Sequence, residues 1–292
     1  MSKNVIKSYK GFDKDMKCRD FQYEVGKEYD MDGEIKCCDR GFHACKSPME
    51  VWDYYDMLNS RFAEVEQSGK IDEEEKSTKV CSSHIKIKAE LKLADIINVG
   101  VEWLKEITSP SKVKTTDKLV DNSGDYAKIG SSGDYAKIGS SGDSAKIGSS
   151  GDYAKIGSSG DYAKIGSSGY SAKIGSSGYS AKIGSSGYSA QIGSSGDYAQ
   201  IGSSGDYAQI GSSGDYAKIG STGEDSVIMC AGNSSIAKAK VGSWITLAEW
   251  VWNDEKKRNV PICVKTEYVD GERIKTDTWY QLKNRKFVEV TE

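Results

Sequence analysis

Isoleucine stands at every ninth position from Ile129 to Ile219, and its neighbours repeat with it. Over residues 124–222 the nonapeptide Gly-Asp-Tyr-Ala-Lys-Ile-Gly-Ser-Ser recurs eleven times without a break, with small variations. Recurrence at a short fixed period marks a stacked repeat architecture. In the copy at 151–159, Tyr153 to Ile156 alternate in character: Tyr153 and Lys155 share one strand face, Ala154 and Ile156 the other. Burying unpaired lysine in copy after copy is costly, whereas Ala and Ile are natural core residues, so Ala and Ile are expected to point inward. Gly-Ser-Ser-Gly-Asp supplies the corners. One strand and one corner cannot close on themselves. Two nonapeptides close into a two-sheet coil and three into a triangular prism, and two per coil fits better. The expectation is a β-solenoid about 25 Å long, in which stacked Ile residues give one continuous core. A flexible Gly/Ser linker would have no use for Ile at one position of all eleven copies.

The flanks break this pattern. Residues 1–110 read as an α+β domain, with strand alternation at Val5–Lys10, Phe21–Val25 and His84–Ile87. Asp32-Gly33 signals a hairpin leading into Glu34–Cys38. Ser47-Pro48 opens a helix that carries Val51, Tyr54, Tyr55 and Leu58 on one face. A charged loop covers Asp72–Lys79, Leu93–Ile107 reads as a second helix, and Ser109-Pro110-Ser111 ends the domain. The solenoid is expected over 115–242: Thr115–Ser123 is a degraded first repeat with Val120 in the Ile position, and Ile228 keeps the frame after the regular copies. Residues 243–292 read as an antiparallel β cap, with hairpins at Asp270-Gly271 and Asn284-Arg285. Trp244, Trp250, Trp252 and Trp279 are suited to cover the open end of the last coil.

Composition narrows the function classes. A net charge of −3 gives no global basic field, so direct nucleic-acid binding is not favoured. Met-Ser-Lys-Asn lacks the apolar run of a signal peptide, no stretch approaches a membrane span, and seven scattered cysteines suit a reducing compartment. A cytoplasmic protein without a membrane role is expected.

The densest reactive group is Gly41-Phe42-His43-Ala44-Cys45 after Cys37-Cys38. Without a Cys-x-x-Cys pair it is a weak zinc motif, even with Cys18 or Cys81 nearby. A His43–Cys45 nucleophilic pair two residues apart is equally weak, so no catalytic residue, metal or cofactor is assigned. The repeats differ from calcium-binding nonapeptides in the placement of Gly and Asp, and from ice-binding faces in lacking Thr ladders. The candidate binding residues are the outward ladder Tyr126, Lys128, Tyr135, Lys137, Tyr153, Lys155, Tyr162 and Lys164, because Tyr supplies contact area at low entropic cost. Three copies begin Gly-Tyr-Ser (Gly169, Gly178, Gly187) and three carry Gln for Lys (Gln191, Gln200, Gln209), which reads as drift on solvated faces.

Phe21-Gln22-Tyr23-Glu24-Val25-Gly26-Lys27-Glu28-Tyr29, Gly41–Cys45 and Tyr54-Tyr55 resemble an uncharacterised domain family common in phages and prophages. Its members continue into Gly-x-x-Ser-Ala nonapeptides and close with a segment like 242–249 here. The resemblance implies a mobile-element context, the host cell cytoplasm, and a protein that modifies or blocks host machinery. Arg40-Gly41-Phe42-His43 followed by a capped helix also looks distantly like ADP-ribosyltransferase-like domains, without an acidic catalytic residue to assign.

The leading expectation is a non-enzymatic solenoid scaffold that docks on a host protein or ribonucleoprotein complex, inhibiting a defence or nucleic-acid-processing system. The alternatives are a homo-oligomeric scaffold paired through solenoid faces, and an enzyme in the N-terminal domain with the solenoid as spacer.

Overall fold

The computed structural model describes residues 5–74, 77–108 and 119–291, which fall into two compact units, 1–103 and 104–292. The expected domain end at Ser109-Pro110-Ser111 and the start of the degraded repeat at 115–118 lie outside the described residues.

The N-terminal unit is mainly β. Its strands are β1 (Ile6–Phe12), β2 (Lys17–Cys18), β3 (Phe21–Gln22), β4 (Glu28–Asp30), β5 (Phe42–Cys45), β6 (Arg61–Glu73) and β7 (Lys79–Leu91); the helix α1 spans Leu93–Thr108. β6 and β7 form a long antiparallel hairpin, β1 pairs with β6 and with β5, and β5 pairs with β7. The four strands therefore close into a ring, which removes sheet edges. One buried side chain ties the ring together. The Gln67 amide on β6 donates to Phe42 O at 2.7 Å and to Ser82 Oγ at 3.1 Å, and its oxygen accepts from Ser8 Oγ at 2.7 Å. Phe12, Phe42, Val65, Ile85 and Ile87 fill one core, and Gly100 of α1 lets Met49 approach closely.

Several local expectations are corrected. Ser47-Pro48 begins a short 3-10 helix, Pro48–Asp53, rather than an α-helix, and Ser47 makes no side-chain cap. Met49, Val51 and Trp52 are buried there while Tyr54 is exposed, because three residues per turn present a different face from 3.6. Gly33, at φ +101°, turns the chain without starting a hairpin, and 34–38 form no strand. The strand expected at Phe21–Val25 is only Phe21–Gln22.

The second unit is a two-sheet β-solenoid with two nonapeptides per coil. Strands Lys137–Ser140, Lys155–Ser158, Lys173–Ser176, Gln191–Ser194, Gln209–Ser212 and Val227–Cys230 stack in parallel as sheet I, which starts at Leu119–Asn122. The intervening strands, from Lys128–Ser131 to Ile236–Lys238, form sheet II. Register is residue on residue: Ile156 lies on Ile138 and under Ile174, and Val120 and Ile228 keep the same column. The inward Ile and Ala columns are buried, so each coil buries its apolar face on the next, as repeat stacking requires.

The phase of the strand within the repeat differs from expectation. The strand is Lys-Ile-Gly-Ser, and Tyr sits in the corner with left-handed φ, from +56° to +59° in the seven copies where it takes the third place. Corner backbones also form a ladder, Tyr126 N donating to Asp143 O at 2.7 Å. From the third copy on, the first Gly is required there: a Cβ on Gly178 would lie 2.0 Å from the carbonyl oxygen of Gly160.

At the C-terminal end, Trp244–Asn253 begins as the last parallel strand of sheet I and turns back through Arg258–Tyr268, while Tyr280–Lys283 and Lys286–Glu289 extend sheet II. The hairpin at Asn284-Arg285 is present, with both residues at positive φ. Asp270-Gly271 instead belongs to a loop between the sheets, where Asp270 Oδ1 accepts from the amides of residues 272 to 274. Val269, Ile274, Tyr280 and Leu282 close the core column; Trp279 is buried beside them, whereas Trp244 and Trp252 are exposed. Aliphatic residues thus do most of the covering that the sequence assigns to tryptophan.

Candidate functional site

Tyr residues of the two corners form two files along the solenoid. On one edge Tyr135, Tyr153, Tyr170, Tyr188 and Tyr207 are in unbroken ring contact, with centroids 5.0 to 5.6 Å apart. On the other, Tyr162, Tyr179, Tyr198 and Tyr216 run at 4.9 to 5.8 Å, while Tyr126 stands apart because Ser144 occupies the intervening coil. Rings at such distances attract beyond their buried area. The Gly-Tyr-Ser copies are the informative ones. Tyr170, Tyr179 and Tyr188 stand one residue earlier than in other copies, yet their rings rejoin the files. Tyr in the left-handed region is conformationally costly, and Gly or Asn would satisfy the backbone at less cost. The corners hold tyrosine despite that.

Aspartates at the second position support the files. Each carboxylate accepts the amide of the residue one coil on, as in Asp143 N to Asp125 Oδ1 at 3.0 Å, Tyr170 N to Asp152 Oδ1 at 2.8 Å and Asp215 N to Asp197 Oδ1 at 2.8 Å. The Gly-Tyr-Ser copies give up this carboxylate and keep the ring.

The eight expected residues are distributed over four surfaces. Tyr135 and Tyr153 share one edge, and Tyr126 and Tyr162 the other; all four are exposed. Lys137 and Lys155 stand on the outer face of sheet I, exposed. Lys128 and Lys164 lie on sheet II, where Lys128 is exposed and Lys164 is only 4% exposed. Beside the lysine row of sheet I, Gly139, Gly157, Gly175, Gly193 and Gly211 floor an open trough of about 990 Å³. A Cβ added at Gly157, Gly175, Gly193 or Gly211 would touch nothing within 4 Å. Packing within the fold places no demand for glycine there, and a glycine row in a strand admits close approach of another molecule. The sequence pattern marks neither the trough nor the ring file through the Gly-Tyr-Ser copies, because Gly reads as a turn residue and Tyr170 as a frame change.

The N-terminal unit holds a second concavity, a cleft of about 890 Å³ reached by Lys10, Arg19, Phe21, His43, Cys45 and Lys79 among others. Lys10, third from the end of β1, is buried with its Nζ 3.0 Å from His43 O, 5.5 Å from the centre of the Phe12 ring and 5.3 Å from that of Tyr23. Burial lowers its pKa, and the His43 imidazole is lowered by burial and by the Lys10 charge. His43 Nε2 accepts the Cys38 amide at 3.0 Å, which fixes the tautomer with the proton on Nδ1. Burial pushes the Cys45 thiol up to about 12, so it is protonated at neutral pH and is not an activated nucleophile. Cys18 contacts Tyr55 Oη at 3.0 Å, Cys37 donates to Asp72 O at 3.2 Å and Cys81 donates to Arg40 O at 3.1 Å. Among the described residues no cluster of three or more His, Cys, Asp or Glu has metal-holding geometry. No described helix is long and apolar enough to cross a membrane.

A family model described as a domain of unknown function (DUF7666) matches residues 6–99, an uncharacterised domain over the N-terminal unit. No curated protein and no solved structure matches the chain.

Proposed function

We propose that the protein is a non-enzymatic binding protein whose solenoid docks on a macromolecular partner through the Tyr135 to Tyr207 file and the adjoining outer face of sheet I. A β-solenoid scaffold suits a binding or structural role. The observation that carries the proposal is the continuity of the file. Five rings stay in contact although the residue that supplies them changes place in the repeat. Exposed Tyr is characteristic of contact surfaces, and here it lies beside exposed Lys137 and Lys155 and an open glycine floor. The resemblance to phage and prophage proteins supports a host protein or ribonucleoprotein complex in the host cytoplasm as the partner. It further supports inhibition of a defence or nucleic-acid-processing system as the outcome.

The test is affinity capture with the full chain and with a variant carrying Ser at Tyr135, Tyr153, Tyr170, Tyr188 and Tyr207. Capture of one defined complex that the Ser variant loses while still folding cooperatively is the expected result. Equal capture by both would remove the file from the interface. A second reading, pairing of two solenoids through the same files, is favoured by the self-complementary ring rows. It predicts a dimer in light scattering that the Ser variant abolishes.

A further inference from the structure

We propose that the cleft of the N-terminal unit binds a phosphate-bearing small molecule with a planar ring, of mononucleotide size. Lys10 lies at the floor of this cleft. It is 4% exposed, its ammonium donates to His43 O, and the Cys18 thiol is its other polar neighbour. Ring faces, Phe12 and Tyr23, lie against it as well. An ammonium has three donors, and a buried charge without a counter-ion is costly unless something supplies one. No carboxylate pairs with Lys10 among the described residues.

Two further cations reach the same cleft. Arg19, at φ +55°, is exposed, and its guanidinium forms no described hydrogen bond or ion pair. Lys79 places its Nζ 4.5 Å from the centre of the Tyr54 ring and 3.4 Å from Glu74. The charges of Lys10, Lys79 and Arg19 all act on His43, so the field converges on one place. A converging set of ammonium and guanidinium groups suits a phosphate dianion better than a single carboxylate. Phe21 and Tyr54 are about half exposed beside these cations, at 45% and 51%, and offer ring faces for stacking. The volume, about 890 Å³, is of the size that small-molecule sites take.

Calorimetric titration of the full chain with AMP, GMP, CMP and UMP tests the assignment, with inorganic phosphate and the matching nucleosides as comparison probes. At least one nucleotide is expected to bind with Kd below about 1 mM, phosphate more weakly, and nucleosides not measurably. Lys10→Met and Arg19→Gln should each weaken the nucleotide by about tenfold or more. Lys10→Met should melt at or above the native temperature, since an apolar side chain replaces an uncompensated buried charge; a purely structural lysine would lose stability instead. The proposal is overturned if no nucleotide binds, if nucleosides bind as well as nucleotides, or if the variants bind like the native chain. Should Lys10→Met fail to fold, the exposed Arg19→Gln decides alone.

Discussion

A buried hydroxyl or thiol in this fold carries a cost that a single substitution reads out. The first Ser after Ile in the repeat points inward, and among the described residues nine of these hydroxyls, from Ser140 to Ser212, are buried without a hydrogen-bond partner. Ser185→Ala removes one such group and is expected to stabilise the chain by about 1 kcal/mol, seen as a higher urea midpoint; a loss of similar size would show that the hydroxyl is satisfied in solution. Cys45 gives a pH dependence. Burial raises its folded thiol from the ordinary 9.0 to about 12, and that of Cys81 likewise. A raised folded pKa contributes stability that is complete below pH 9 and lost as pH rises toward 12, because the unfolded thiol ionises first. Lys10, whose folded pKa is lowered, acts oppositely up to its ordinary 10.5. Unfolding free energies measured between pH 8 and about 11 should therefore fall less steeply in Cys45→Ala than in the native chain. Parallel curves would contradict the burial of that thiol.

At the scale of the element, two glycines three residues apart have opposite roles. Gly178 sits in a corner where a Cβ would collide with the Gly160 carbonyl, so Gly178→Ala must force adjacent coils apart and should cost about 3 kcal/mol. Gly175 lies in a strand with open space around it, so Gly175→Ala should be neutral or stabilise by up to about 1 kcal/mol. Thermal melts of the two variants check this, and equal losses would refute the distinction. The same repeat shows how much was legible beforehand. The Ile period and the Lys/Ile parity specify two sheets, inward Ile and Ala, and an 18-residue coil, all of which the structure has. The strand's phase was not legible. Tyr-Ala-Lys-Ile and Lys-Ile-Gly-Ser have the same inward parity, and a left-handed tyrosine runs against local preference. In the N-terminal unit, β6 and α1 differ in the same respect: Leu93–Thr108 has clear helical periodicity, whereas β6 is interrupted by irregularities at Glu64/Val65 and Ser68/Ile71. The cleft was illegible because Lys10, Arg19, His43 and Lys79 come together only when β1, β5 and β7 pair.

Across the whole molecule the two sheets share one sequence but not one environment. Lys137 and Lys155 of sheet I are exposed, whereas Lys146 and Lys164 of sheet II are buried, as are the glycines that follow them. Parity along the chain therefore matters as much as repeat number. Deleting residues 160–177, two copies, removes one coil and leaves every downstream strand on its own sheet. Because stability in such arrays is close to a sum of local terms, the shortened chain should fold cooperatively and melt within a few degrees of the native one. Its Tyr153 would then stack under Tyr188, leaving a four-ring file, so partner binding through the file should weaken without vanishing. Deleting residues 160–168 alone would move each later strand to the opposite sheet, placing the exposed Lys173 where the buried Lys164 stood and carrying the closing strand at Trp244 to the other side. That variant should lose far more stability than the longer deletion. Circular dichroism melts of the two deletions decide the matter: if the nine-residue loss is the milder one, the two faces are equivalent in solution and the docking face cannot be assigned to sheet I.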